Sequence, residues 1–127
     1  MSINIMYVDD EPNTVNLVKL LVELDRPEWI FHAAYDGETA LAIATQAPLD
    51  FVLLDISMPG MNGIEVCQRL RQMPNTAQSP IVMLTALDTP QWREQSKAAG
   101  ATDFWVKPFK PTSLVKDIAR IIEDRRA

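Results

Sequence analysis

Three aspartates, a threonine and a lysine stand where four short apolar runs end. Ile5-Met6-Tyr7-Val8 leads into Asp9-Asp10, Phe51-Val52-Leu53-Leu54 into Asp55, Ile81-Val82-Met83-Leu84 into Thr85, and Phe104-Trp105-Val106 into Lys107. If the acids share a cleft they repel one another and raise each other's pKa values, a tendency that a bound divalent cation reverses. Oxygen-only donors suit a hard cation, and few carboxylates with room for several waters suit Mg²⁺ better than Ca²⁺. No His or Cys stands near these positions to favour zinc. A carboxylate beside such an ion can attack phosphorus and form an acyl phosphate. The charge on the transferred phosphoryl oxygens then needs a cation and a hydrogen-bond donor, which Lys107 and Thr85 supply. Asp55 is the expected nucleophile, because the third apolar run should lie centrally. Taken alone, the Asp9-Asp10 pair is equally well explained by a solvated turn; the other three residues at matching strand ends are what weigh against that.

Short apolar runs bounded by turn signals predict strands buried on both faces, which belong to parallel sheets. In an open parallel sheet the carboxyl ends of the strands share one edge, where ligands bind. The strands are expected at Ile3–Val8, Ile30–Ala34, Phe51–Leu54, Ile81–Leu84 and Phe104–Val106. Helical patterns alternate with them: Leu17, Val18, Leu21 and Leu24 after Pro12-Asn13; Ala40, Leu41, Ile43 and Ala44 after Asp36-Gly37; and Ile64, Val66, Cys67 and Leu70 after the Met58–Gly63 loop. A polar loop spans Pro74–Pro80, and Gly100 stops a short helix over Gln91–Ala99. Pro111 is placed to open the last helix, whose apolar stripe is Leu114, Ile118, Ile121 and Ile122. The alternation predicts an α/β fold, a doubly wound five-stranded parallel sheet with five helices.

At 127 residues the chain reads as one domain, and its net charge of −5 argues against general affinity for nucleic acid. No apolar stretch is long enough for a membrane span, and Met1-Ser2-Ile3-Asn4 does not open a signal peptide. The single cysteine, Cys67, permits no internal disulfide, so a reducing, cytoplasmic setting is expected.

The motifs Val8-Asp9-Asp10-Glu11-Pro12, Leu54-Asp55-Ile56-Ser57-Met58-Pro59-Gly60-Met61-Asn62-Gly63, Leu84-Thr85-Ala86 and Val106-Lys107-Pro108-Phe109 resemble those of the receiver domain of two-component response regulators. The likeness covers essentially all of residues 1–127. It implies the flavodoxin-like (βα)5 fold with strand order 2-1-3-4-5. It implies too that Asp55 accepts a phosphoryl group, with Mg²⁺, from a sensor histidine kinase or histidine phosphotransfer protein. By the same resemblance Asp10, Asp55 and the Ser57 backbone carbonyl hold the metal, Asp9 acts through water, and the bond before Pro108 is cis. Thr85 and Phe104 are then the switch pair: Thr85 turns to the phosphoryl group and Phe104 turns inward behind it. The output is a shift on the face of the fourth helix, fifth strand and fifth helix, governing a partner or effector domain that the sequence leaves unknown. Such a domain assists only its own phosphorylation and dephosphorylation and is not an enzyme toward an external substrate.

Two rim positions bear on rate. In similar domains acid or amide side chains at Ser57 and Leu87 help place the hydrolytic water; a short hydroxyl and an aliphatic group predict a long-lived phosphoryl state. Trp92 and Trp105 suit an interface or half-buried core equally, Trp29 is expected at the domain edge, and His32 at an edge without a ligand role. Lys116, Asp117, Arg120, Asp124 and Arg125 would allow a homodimer through the fourth helix, fifth strand and fifth helix, although a solvated helix face explains them as well. Two rival readings stand beside the switch. One is a receiver-like interaction module that works without phosphorylation. The other is a phosphatase of the haloacid dehalogenase type, which would need a second Asp where Ser57 stands. A flavodoxin-like mononucleotide binder would need a glycine-rich phosphate loop after the first strand, which is lacking.

Overall fold

Five apolar, β-branched-rich runs form the strands β1 (Asn4–Val8), β2 (Ile30–Ala34), β3 (Phe51–Asp55), β4 (Ile81–Thr85) and β5 (Asp103–Val106). Between and after them lie α1 (Pro12–Asp25), α2 (Gly37–Gln46), α3 (Gly63–Leu70), α4 (Pro90–Ala98) and α5 (Leu114–Arg126). These elements come from a computed structural model that describes residues 2–126. All strand pairs are parallel and the sheet order is β2-β1-β3-β4-β5. The expected class and order both hold.

Alternation along the strands sends side chains to two cores. Met6, Val8, Val52, Leu54, Ile81 and Met83 pack with α2 and α3, including Ala40, Ala44, Val66, Cys67 and Leu70. Ile5, Tyr7, Phe51, Leu53, Val82 and Leu84 pack with α1 and α5. On α1 the buried face is Val15, Val18 and Val22, while Leu17, Leu20 and Leu24 stay exposed. Of the stripe read from the sequence, Val18 is buried and Leu21 packs on the core, whereas Leu17 and Leu24 face outward. The helix is apolar around most of its circumference, so spacing admits two inward faces, and the shorter valines let it sit close to the sheet. Trp29, just before the edge strand β2, is buried against the α1/α5 core, and Arg26 covers its ring at 5.9 Å.

The first four helices are each capped at their start. Glu11, Asp36, Asn62 and Thr89 accept from the backbone N–H groups of Asn13, Thr39, Glu65 and Trp92, and Pro12 and Pro90 open α1 and α4. The last helix starts later than expected. Lys110 O accepts from both Ser113 N and Leu114 N, at 3.1 and 3.0 Å, so Pro111 opens a turn and regular helix begins at Leu114. At the opposite edge Arg71 fixes the Pro74–Pro80 loop by donating to Thr76 O (2.9 Å) and Ser79 O (2.6 Å). Three α5 arginines find partners within the chain: Arg120 lies 3.5 Å from Asp117, Arg126 2.7 Å from Asp50, and Arg125 donates to Gln78 O.

Candidate functional site

Strand register does the positioning. Val8 pairs with Leu54, so Asp9 and Asp55, one residue further on, emerge side by side. Asp55 pairs with Leu84 and Thr85 with Val106, which brings Thr85 and Lys107 to the same edge. Asp9, Asp10 and Asp55 each offer a carboxylate oxygen within 4.8 Å of the other two. Lys107 Nζ reaches Asp9 Oδ2 at 3.1 Å and Asp55 Oδ1 at 3.5 Å. Lys107 N donates to Thr85 O at 2.7 Å, and the Lys107–Pro108 bond is cis.

Asp9 and Asp55 are buried, whereas Asp10 is exposed. Burial, and then the charge of Asp9, push the Asp55 carboxyl up to about 6, although Lys107 and the Ser57 N–H pull it down. Burial would lower the Lys107 ammonium, but Asp55 and Asp9 outweigh it and hold it above its usual range. The pocket is therefore short of positive charge. Clustered oxygen donors, two of them from buried carboxylates, fit a hard divalent cation, and Asp9, Asp10 and Asp55, three of the residues expected to hold Mg²⁺, are brought together here.

The remaining candidates fall around this centre. Thr85 is fully buried and its hydroxyl accepts from Leu87 N at 3.1 Å. Ser57 and Leu87 are exposed on the rim, and Ser57 stands where a dehalogenase-type phosphatase would carry its acid. Phe104 is half-buried on the α4 side of β5. Trp92 and Trp105 are also half-buried, and Trp105 packs near Phe51 with ring centroids 6.4 Å apart. His32 lies on the edge strand β2, bonded to Asn4 Oδ1 at 3.0 Å, and Cys67 is buried against Ala99 O.

Sequence reasoning missed two residues. Tyr7, buried beneath the site, donates its hydroxyl to Asp9 Oδ2 at 2.5 Å, and the buried phenol is raised far above its usual range. Its signal was parity: two residues before Asp9 on a strand, it shares that face. Gly63 is the other. A Cβ there would sit 2.3 Å from Asp55 O and 2.8 Å from Ile56 Cα, both backbone. A glycine in the first turn of a helix, where propensity disfavours it, was the available sign. Gly63→Ala is expected to displace the loop that carries Ser57 and to cost about 1–3 kcal/mol of stability, the range for overpacking. Urea melts check this, and an unchanged midpoint would show that the loop yields freely.

An open, doubly wound parallel sheet with an acidic pocket and a lysine at its carboxyl edge defines a class of α/β domain with a candidate cation site at that edge. The family model of the response regulator receiver domain matches residues 5–119, and the chain belongs to that family. The response regulator PleD of Caulobacter vibrioides is 40% identical over 114 residues, which cover 90% of this chain and 25% of PleD. The transcriptional regulatory protein ResD of Bacillus subtilis is 38% identical over 123 residues, covering 97% of this chain and 48% of ResD. The chain thus spans about half or less of these curated relatives. Among solved structures, chemotaxis protein CheY4 of Vibrio cholerae superposes with a TM-score of 0.86 at 33% identity, covering 95% of this chain and 99% of that one. Membership places the chain among the signalling domains of two-component systems. Among the described residues no helix is long and apolar enough to cross a membrane.

Proposed function

We propose that residues 1–127 act as a phosphoacceptor switch in which Asp55 takes a phosphoryl group from a sensor histidine kinase or histidine phosphotransfer protein. The observation that carries this reading is the cluster of Asp9, Asp10 and Asp55 oxygens within 4.8 Å, with Lys107 Nζ 3.5 Å from Asp55. An Asp55 oxygen attacks phosphorus, the P–N bond to the donor imidazole breaks, the imidazole leaves and takes up a proton, and an aspartyl phosphate remains. Asp10, Asp55 and the Ser57 carbonyl would hold Mg²⁺ directly and Asp9 through water; the ion supplies positive charge opposite the phosphoryl oxygens. Lys107 neutralises the same oxygens from the other side, and Thr85 donates its hydroxyl once it turns from Leu87 N.

That rearrangement biases a two-state element that includes Phe104, and the α4/β5/α5 face presents the result to a partner, an effector domain or a second copy. The domain modifies only itself, in a cytoplasmic setting. The test is intact-mass spectrometry after incubation with phosphoramidate and Mg²⁺. One phosphoryl adduct, lost with EDTA and in Asp55→Ala, is the expected result. No adduct on folded, Mg²⁺-bound protein would favour an interaction module that works without phosphorylation.

The rim sets how long the adduct lasts. Leu87 is aliphatic and 58% exposed, and Ser57 is too short to reach far into the pocket, so neither orders a hydrolytic water. The adduct is expected to decay severalfold faster in Leu87→Glu than in the unsubstituted chain, followed by mass over time. Equal decay would remove the rim from the account.

A further inference from the structure

Leu87 N–H reports on Thr85, and the next residue along ties that report to Phe104. Arg93, on α4, grips Asp88 with both arms of its guanidinium: Nε to Oδ1 at 2.6 Å and Nη2 to Oδ2 at 3.1 Å. The same guanidinium lies over the Phe104 ring, 4.6 Å from its centroid. A planar cation is suited to both tasks at once, a bidentate fork toward a carboxylate and a stacking face toward an aromatic. Asp88 adjoins Leu87, whose N–H donates to Thr85 Oγ1 at 3.1 Å. A continuous chain of contacts therefore runs from the Thr85 hydroxyl, through the loop after β4, to Arg93 and the ring of Phe104.

We propose that Asp88 and Arg93 are positioning residues that clasp Phe104 and hold the domain in its unphosphorylated form, setting how readily it is phosphorylated. The inference rests on the phosphoacceptor reading above. When the Thr85 hydroxyl turns toward a phosphoryl group, Leu87 N–H loses its acceptor and the loop that carries Asp88 shifts. Arg93 is then no longer held over the ring, and Phe104 is free to move.

The ring borders open space beside α4. A cavity of about 360 Å³ lies between α4 and β5, lined by Arg93, Ser96, Asp103 and Phe104 among others. Ser96 is 1% exposed, and its hydroxyl has no hydrogen-bond partner among the described residues. The clasp itself is exposed, with side-chain exposures of 52% for Arg93 and 45% for Asp88. Its removal is therefore tolerated by the fold and acts chiefly on the balance between the two forms.

Beryllofluoride with Mg²⁺, a stand-in for the phosphoryl group, reads that balance through the fluorescence of Trp92 on α4 and Trp105 on β5. An exposed ion pair with one cation–π contact biases the equilibrium only modestly, so Asp88→Ala and Arg93→Gln should each lower the half-saturating beryllofluoride concentration by about three- to tenfold. The initial rate of phosphorylation by phosphoramidate should rise in step. The double variant should go no further than either single one, and Arg93→Gln should have no effect in a Phe104→Leu background. A general loosening of the surface would produce neither pattern. Wild-type midpoints in both single variants, or additive effects in the double variant, overturn the clasp while leaving the phosphoacceptor reading intact. A wild-type protein that neither binds beryllofluoride nor takes a phosphoryl group overturns that reading, and the clasp with it.

Discussion

Asp55→Asn is expected to abolish phosphoryl uptake and, in the same protein, to stabilise the metal-free fold. Asparagine keeps the shape of the side chain but has no carboxylate to attack phosphorus, so the adduct should vanish entirely. The gain in stability follows from the burial of Asp55. In the folded domain its carboxyl is raised from 3.8 to about 6, by burial first and by Asp9 second. A carboxyl whose folded pKa exceeds its unfolded one binds protons more tightly when folded, so the fold is favoured at low pH. That advantage is lost as pH rises from about 4 through about 6. Above this window the charged Asp55 costs the fold on the order of 1–3 kcal/mol, and Asn removes that cost. Lys107 loses one of its two partners in the exchange, which places the net gain toward the lower end. Urea melts in EDTA should show Asp55→Asn ahead at about pH 8 and level with the unsubstituted domain at about pH 3.5. Added Mg²⁺ should narrow the difference at the higher pH, since only the aspartate protein recovers stability by binding it. A variant no more stable at either pH would mean that Lys107 already offsets the burial of Asp55.

The same strand ends that make this cost also made the site legible in the sequence. A parallel sheet in register delivers residues that follow apolar runs to one edge, so Asp9, Asp55, Thr85 and Lys107 could be grouped from position alone. The fold was legible for the same reason: strands buried on both faces are nearly continuous in apolar residues. What escaped was whatever depends on how closely two elements approach. Gly63 is required because α3 begins against the backbone of Asp55, a proximity that no local pattern encodes. Tyr7 looked like core until its hydroxyl was seen to meet Asp9. On α1 the choice between valines and leucines as the inner face was settled by the sheet and not by the helix. Pro111 is a frequent helix opener, yet here Lys110 O draws Ser113 and Leu114 into a turn first. The Asp88–Arg93–Phe104 contact joins a loop, a helix and a strand, and it has no sequence signature at all.

Replacing Lys107 by Met should produce the opposite imbalance. Its ammonium lies 3.1 Å from Asp9 and 3.5 Å from Asp55, and Met keeps much of the stem while removing the charge. Asp9 retains the Tyr7 hydroxyl and Glu11 N–H as donors, but Asp55 keeps no cation within reach among the described residues. Breaking a buried ion pair from one side costs about 3–5 kcal/mol in a fully buried site. Lys107 is 26% exposed, so water recovers part of that, and a loss of roughly 1–3 kcal/mol is expected in EDTA. A divalent ion then has no ammonium to compete with for the same oxygens. Mg²⁺ should therefore bind the variant several times more tightly and restore most of its lost stability, which urea melts with and without millimolar Mg²⁺ will show. The response to phosphorylation should fail for a separate reason. Asp55, Asp9 and Asp10 remain, so the adduct should still form, but its phosphoryl oxygens then have no ammonium to close on. The tryptophan fluorescence change should then be smaller than in the unsubstituted domain at equal adduct. A Lys107→Met protein as stable as its parent without metal, with unchanged Mg²⁺ affinity and a full fluorescence response, would show that Lys107 neither neutralises the acids nor reads the phosphoryl group.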